Sequence, residues 1–153
     1  MNLSKTYIRV PMYKNGASVQ MTLDNDFNVP DTKPDIERLI QEKGTLHIRD
    51  VKPSKDKCLI RGELVFGVLY MGDEGSGQLQ SIEGSIPFEE TINMDGLQEM
   101  DQMSLRWDME DLRTGMINSR KISVRSIAVL QVTAVRMGEE EVATAMEDGE
   151  DLW

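Results

Sequence analysis

Along residues 57–70, KCLIRGELVFGVLY, apolar side chains recur at every second position. Cys58, Ile60, Leu64, Phe66, Val68 and Tyr70 share one parity, and Arg61 and Glu63 take the other. A period of two sustained over that length marks a β-strand and does not fit the 3.6-residue turn of a helix. In the second half Val65 and Leu69 add apolar side chains on the opposite parity, which predicts burial on both faces. Residues 79–93 alternate again, with Ile82, Ile86, Phe88 and Ile92 in step, and the intervening MGDEGSGQ reads as a flexible hairpin loop. The expectation is an antiparallel hairpin pairing 57–70 with 79–93. Each side chain buried there contributes about 1.5–3 kcal/mol before chain entropy is subtracted. A slip of one residue would expose the whole row, so the pattern itself fixes the register.

The same reading extends to both ends of the chain. Residues 5–13 and 17–23 look like two short strands joined at Asn15-Gly16, a dipeptide suited to a tight turn, which predicts an N-terminal hairpin over 5–23. Pro11 lacks an amide donor and marks its strand as an edge or a bulge. Residues 24–35, DNDFNVPDTKPD, read as a loop, and a short helix is expected from Pro34 to Lys43. Pro34 suits a first helical turn, Asp35 and Glu37 suit the helix dipole, and Gly44 suits a stop. Ile36, Leu39 and Ile40 supply an apolar stripe at i, i+3, i+4. A strand follows at 45–51, then a turn at Pro53-Ser54-Lys55-Asp56.

Residues 94–101 read as a loop, and 103–109 as a strand alternating Met103, Leu105, Trp107 and Met109, which 112–117 extend or follow. After a turn at Asn118-Ser119, residues 120–136 form a long β-branched run, apolar on both faces and suited to a central strand. The acidic GEEEVATAMEDGEDLW at 138–153 reads as a disordered tail or linker. Together these elements predict a mostly β protein: an antiparallel β-sandwich with one short helix and a disordered acidic C-terminal tail, an open barrel being the alternative. The domain is expected over 1–137, with its sheet core at 45–137.

Composition narrows the classes of function. With 153 residues the chain suits one domain, and with 17 basic against 27 acidic residues its formal net charge is −10. That charge opposes binding to nucleic acid and to anionic lipid. Arg113, Arg120, Lys121 and Arg125 are the best candidates for a basic patch, but they are scattered along strand-like sequence. The single cysteine, Cys58, excludes an intrachain disulfide and fits a reducing compartment or a redox-indifferent one. The N-terminal MNLSKTYIRV lacks the apolar run of a signal peptide, and no stretch approaches the ~20 apolar residues of a spanning helix. A cytoplasmic start and no direct membrane insertion are therefore expected.

Candidate chemistry is sparse. His47, the only histidine, is out of step with Leu46 and Ile48, and Cys58 shares parity with the core, so the two do not suggest a catalytic pair. Asp24, Asp26 and Asn28 match the opening of a calcium loop. Val29 then stands where the turn glycine belongs, and Asp35 where a bidentate Glu belongs. Gly72, Gly75 and Gly77 do not open a helix, as a phosphate cradle requires. Glu89-Glu90 and Glu110-Asp111 read as solvated charge, and the Met100, Met103, Met109 and Met116 group as core filler or adaptable contact surface. Trp107 beside Asp108 and Glu110 has the residue types of a sugar-stacking platform, which makes a glycan-binding module the second reading. No enzyme activity, metal or cofactor is expected.

Four blocks carry a resemblance. DNDFNVPDTKPDIERLIQEKG, VKPSKDKCLIRGELVFGVLY, SIEGSIPFEETINM and INSRKISVRSIAVLQVTA, spread over about residues 5–136, resemble the SPOCS domain of endospore-forming Firmicutes. Members of that family include spore coat morphogenetic proteins in which such domains precede a C-terminal LysM module. The resemblance implies a non-enzymatic role in spore envelope assembly, on the mother-cell side of the forming spore. The partners it implies are coat proteins or the coat basement-layer ATPase. This chain carries no LysM module, which fits a piece of a longer protein. Strand edges and loops are where such a scaffold would contact coat proteins or a second copy of itself. The residues singled out are Ile8 and Val10 in the first strand, with Asp24, Asp26, Asn28, Asp31 and Asp35 in the loop after it.

Overall fold

The alternation at 57–70 is fully realised. A computed structural model describes residues 5–73 and 78–143, with side chains for 15–73 and 78–136. It contains six strands: β1 (Lys5–Asn28), β2 (Ile36–Ser54), β3 (Lys57–Gly72), β4 (Leu79–Asn93), β5 (Gln102–Asn118) and β6 (Lys121–Ala143). They form two three-stranded antiparallel sheets, ordered β1-β6-β5 (sheet A) and β2-β3-β4 (sheet B). β5 lies close to β2, and β1 close to β4, so the two sheets stack as a sandwich.

The central strand of each sheet supplies the core. On β3, Cys58, Ile60, Leu64, Phe66, Val68 and Tyr70 are all buried, and on β6 so are Ile122, Val124, Ala128, Leu130, Val132 and Ala134. The expected 57–70/79–93 hairpin forms with Leu64 opposite Ile86 and Cys58 opposite Ile92. Ile82, Ile86, Phe88 and Ile92 of β4 join the same core. Residues 112–117 continue the strand begun at 102, and the central strand expected from 120 is found from Lys121, its preceding turn standing at 119–120, one residue later than expected. Gly62 falls on the inward parity of β3 because the backbones close in there. A Cβ at that position would sit 2.4 Å from the His47 carbonyl oxygen and 2.8 Å from Phe88 Cζ.

The helix expected at Pro34–Lys43 does not form: Ile36 to Lys43 are the start of strand β2, and Pro34 and Asp35 end the crossover before it. The i, i+3 spacing has another cause. β2 shifts register between Ile36 and Arg38 and again between Leu39 and Gln41. Each bulge sets two residues against one, so inward positions become three apart. Ile36 thus falls opposite Gly72, Leu39 opposite Tyr70 and Glu42 opposite Val68. The same device brings Ile48 and Val51 inward on β2, and Met109 and Leu112 on β5. Local helix preference loses here to a sheet that offers Ile36 nearly complete burial.

The expected N-terminal hairpin is one continuous strand. Asn15-Gly16 marks a bulge between Tyr13 and Asn15 in β1, and both halves pair with β6 rather than with each other. A type I′ turn needs positive φ at its two central residues. The positive-φ residues among those described are Asp56 and Gly96. Asn15 is instead occupied with the 94–101 loop, donating from Nδ2 to the Asp95 carbonyl (2.9 Å). The loop expected over 24–35 begins only after Asn28. Residues 138–143, expected in a disordered tail, are strand, because β1 from Lys5 to Val10 templates them with Arg9 opposite Glu139. Residues 144–153 lie outside those described.

One crossover, residues 29–35, passes the chain from sheet A to sheet B, and Arg120 holds it. The guanidinium donates from Nη1 to the Lys33 carbonyl (2.7 Å) and to Asp35 Oδ1 (3.0 Å). From Nη2 it donates to the Pro30 (2.9 Å) and Val29 (3.2 Å) carbonyls. Backbone bonds from Val29 N to the Arg120 carbonyl and from Ile36 N to the Ser119 carbonyl, both 2.8 Å, fasten the loop to the β5–β6 turn. Tyr70 donates its hydroxyl to the Pro34 carbonyl (2.8 Å) from the other sheet.

Two stability predictions follow from these contacts. Arg120→Ala leaves several loop carbonyls without a donor. Because the side chain is 37% exposed, water recovers part of the loss, and urea unfolding should report about 1–2 kcal/mol of destabilisation. Arg120→Lys should recover little, because an ammonium cannot span that fan of acceptors; full recovery would refute the role given to the planar fork. Ser126 is wholly buried on the inner face of β6 with no hydrogen-bond partner for its Oγ. Ser126→Ala removes an unsatisfied hydroxyl and should raise stability by about 1 kcal/mol, read as a higher thermal midpoint.

Candidate binding surface

Both inner faces are consumed by the core, which leaves outer faces, edges and loops accessible to other molecules. The residues singled out in the sequence are divided among them. Ile8 and Val10 lie in β1 opposite Glu140 and Gly138 of β6; their side chains are outside the described set. β1 is an edge strand of sheet A, as Pro11 suggests. Asp24, Asp26 and Asn28 are exposed on one parity of β1, opposite Arg125, Ser123 and Lys121. Asp31 is exposed in the crossover, whereas Asp35 is half-buried and engaged by Arg120 and by the Ser119 hydroxyl (3.4 Å). The five polar residues therefore do not converge on one site. Asp35 serves the crossover, and the calcium-loop geometry does not arise because residues 24–28 are extended strand. Among the described residues no group of three or more His, Cys, Asp or Glu side chains is placed to hold a metal ion.

Trp107, Asp108 and Glu110 are all on β5. Trp107 stands opposite the buried Leu130, so the pleat turns it to the inner side of sheet A, where its edge position leaves it 39% exposed. Asp108 stands opposite Val129 on the outer side. Glu110 lies at the bulge between Met109 and Asp111 and accepts a hydrogen bond from Gln20 Nε2 (3.2 Å). An open depression of about 500 Å³ has all three in its lining. A sugar platform needs the flat face of the indole beside the carboxylates, and alternation along β5 separates Trp107 from Asp108.

Cys58 and His47 are on opposite sides of sheet B. Cys58 is fully buried on β3, and burial pushes its thiol above the ordinary 9.0. His47 is exposed on β2, opposite Glu63. No dyad is formed between them. Burial likewise raises the Tyr70 phenol, against a smaller lowering by nearby Arg120.

The outer face of sheet B carries features the sequence reading passed over. Its charges pair across strands: Arg49 bridges Glu63, and Arg61 Nε meets Glu89 at 3.2 Å. One row differs. Lys43, Gly67 and Glu83 stand opposite one another on β2, β3 and β4. Adjoining hollows of about 230 and 420 Å³ share these three residues, one floored by Leu69 and the other by Val65. The available signal was a glycine inside an otherwise bulky strand, which marks a bulge or a close approach by another molecule.

A second feature is an open edge. β5 begins at Gln102, opposite Val135, while β6 continues paired to β1 as far as Ala143. From Met137 to Ala143, among the described residues, β6 is paired on one side only. The Asp101–Arg136 ion pair (2.9 Å), with the Asp101 side chain fully buried, closes the body where this ribbon leaves it. Among the described residues no helix is long and apolar enough to cross a membrane.

A family model described as "SipL, SPOCS domain" matches residues 35–117, from the end of the crossover through β2, β3 and β4 and nearly all of β5. No curated protein and no solved structure matches the chain.

The buried thiol and phenol set an alkaline limit. Their folded-state values are raised, so the unfolded chain releases these protons first. The stability they allow is complete below the ordinary thiol value of 9.0 and falls as pH rises through the folded-state values. Urea midpoints should be level up to about pH 9 on this account and decline above it. At pH 8 the native protein should resist thiol reagents that label it fully once unfolded; rapid native labelling would contradict the burial of Cys58.

Proposed function

The chain belongs to the SPOCS-domain family, a family of sporulation-related domains, and from that membership we propose that it is a non-enzymatic scaffold for protein–protein contacts in spore coat or spore envelope assembly. It acts on the mother-cell side of the forming spore, and its partners are coat proteins. The observation that carries the interaction reading is the ribbon formed by β1 and β6 beyond the start of β5. Two strands alone are marginal in water, and a third strand would complete the backbone hydrogen bonding of the open edge. Addition of a partner strand gives affinity through the main chain and specificity through alternate side chains. The separation of Cys58 from His47, one inside the sandwich and one outside, gives no support to hydrolytic chemistry at these residues.

The test uses the full chain as bait in extracts of sporulating cells, with captured proteins identified by mass spectrometry. Coat proteins should be retained, and Ile8→Pro should lose them by disrupting β1 within the ribbon. Since the ribbon lies beyond the paired core, the variant's thermal midpoint should move by less than about 4 °C, the scale of 1 kcal/mol. Retention of no coat protein, or of the same set by Ile8→Pro, would remove the reading.

A further inference from the structure

We propose that the Lys43–Gly67–Glu83 row is a docking groove for a protein segment that presents one bulky apolar side chain between an acidic and a basic residue. The inference rests on the protein-interaction reading and gives it a second, separate surface. The row crosses three neighbouring strands, so Lys43 and Glu83 stand about 10 Å apart at the backbone, twice the interstrand spacing. Gly67 puts no side chain at the middle position: a Cβ there would touch, among neighbouring residues, only the flexible end of Lys43, whose Cε lies 3.9 Å away and can swing aside for an occupant. Half-buried Val65 and Leu69 floor the hollows on either side.

Charge is what selects the occupant. Arg49 with Glu63 and Arg61 with Glu89 are already matched on this face, whereas among the described residues neither Lys43 nor Glu83 has an ion-pair partner. A carboxylate approaching Lys43 and a cation approaching Glu83 would each find an unmatched charge, with an apolar side chain filling the gap over the glycine. In an extended segment, residues i, i+2 and i+4 share a face. An acid, a ring and a base at those positions span about 13 Å, within reach of the row through their long side chains. A wholly acidic or wholly basic segment would satisfy one end and oppose the other.

The probe is an N-acetylated, C-amidated peptide, Glu-Ala-Phe-Ala-Lys, titrated into the isotopically labelled full chain and followed by amide chemical shifts. Saturable shifts should centre on Lys43, Gly67 and Glu83. Replacing Phe by Ala in the peptide should weaken binding roughly ten-fold, through loss of the apolar contact. Gly67→Val fills the gap in a strand that tolerates it and should abolish the shifts. Lys43→Glu, an exposed substitution, should also weaken binding and guards against a folding defect in the first variant. Absence of saturable shifts at this row, or an unchanged isotherm in Gly67→Val, overturns the groove. The extract capture separates the two ideas. If Gly67→Val retains the same coat proteins as the wild type, scaffolding stands and the groove falls as a coat-protein site. If the wild type retains none, scaffolding falls, and the peptide titration alone decides the groove.

Discussion

Alternate burial along two central strands is the constraint on which the rest of the structure depends. β3 and β6 each send every second side chain inward, and the two rows face each other across the sandwich. Neither row can shift by one residue without bringing Arg61 and Glu63 of β3, or Arg125 and Gln131 of β6, into the core. With these two strands fixed, the flanking strands can depart from regularity. β2 and β5 carry the bulges, and β1 carries the break at Tyr13/Asn15. Irregularity at the edges is tolerated because the register is held at the centre.

That division explains what could be read from the sequence. β3, β4 and β6 were legible because their period of two is uninterrupted, and their pairing and central placement followed. The first half of β2 was not. Bulges at Ile36/Arg38 and Leu39/Gln41 give a strand the three-residue spacing that, read locally, belongs to a helix, and Asp35, Glu37 and Gly44 supplied matching cap chemistry. Only the partner strand, with Gly72 and Tyr70 waiting opposite Ile36 and Leu39, decides between them. Asn15-Gly16 misled for a related reason. A turn dipeptide states what the backbone can do, whereas a β6 that runs to Ala143 determines what it does. The acidic run at 138–143 reads as solvated sequence until a strand is present to pair with it.

The candidate surface was less legible than the fold. Asp24, Asp26, Asn28, Asp31 and Asp35 are neighbours in sequence, but the end of β1 and the crossover send them to different tasks. Asp35 could not be recognised as a structural ligand without Arg120, which approaches from the distant β5–β6 turn. Conversely, Lys43, Gly67 and Glu83 are remote in sequence and form one row only through two strand registers. A site built across a sheet is a property of pairing. Composition near any one of its residues says little about it.

The physics of the sandwich also limits how such a protein can act. With both inner faces given to the core, what remains is backbone at open edges and side chains on outer faces. An edge offers unpaired peptide groups that accept almost any extended segment, so it supplies affinity with little discrimination. A face supplies discrimination through the placing of charge and the absence of a side chain. The β1–β6 ribbon and the Gly67 row are one of each. They are contributed by different sheets, since β1 and β6 belong to sheet A and the row lies on sheet B. On the proposed reading, two partners, or two parts of one partner, would therefore engage without competing for the same strand. If both contacts are made by a single partner, the second becomes intramolecular once the first has formed, and weak individual contacts suffice for a stable assembly. A protein acting as the proposed scaffold would need no deep pocket and no reactive residue, only a core rigid enough to keep the two surfaces in fixed relation.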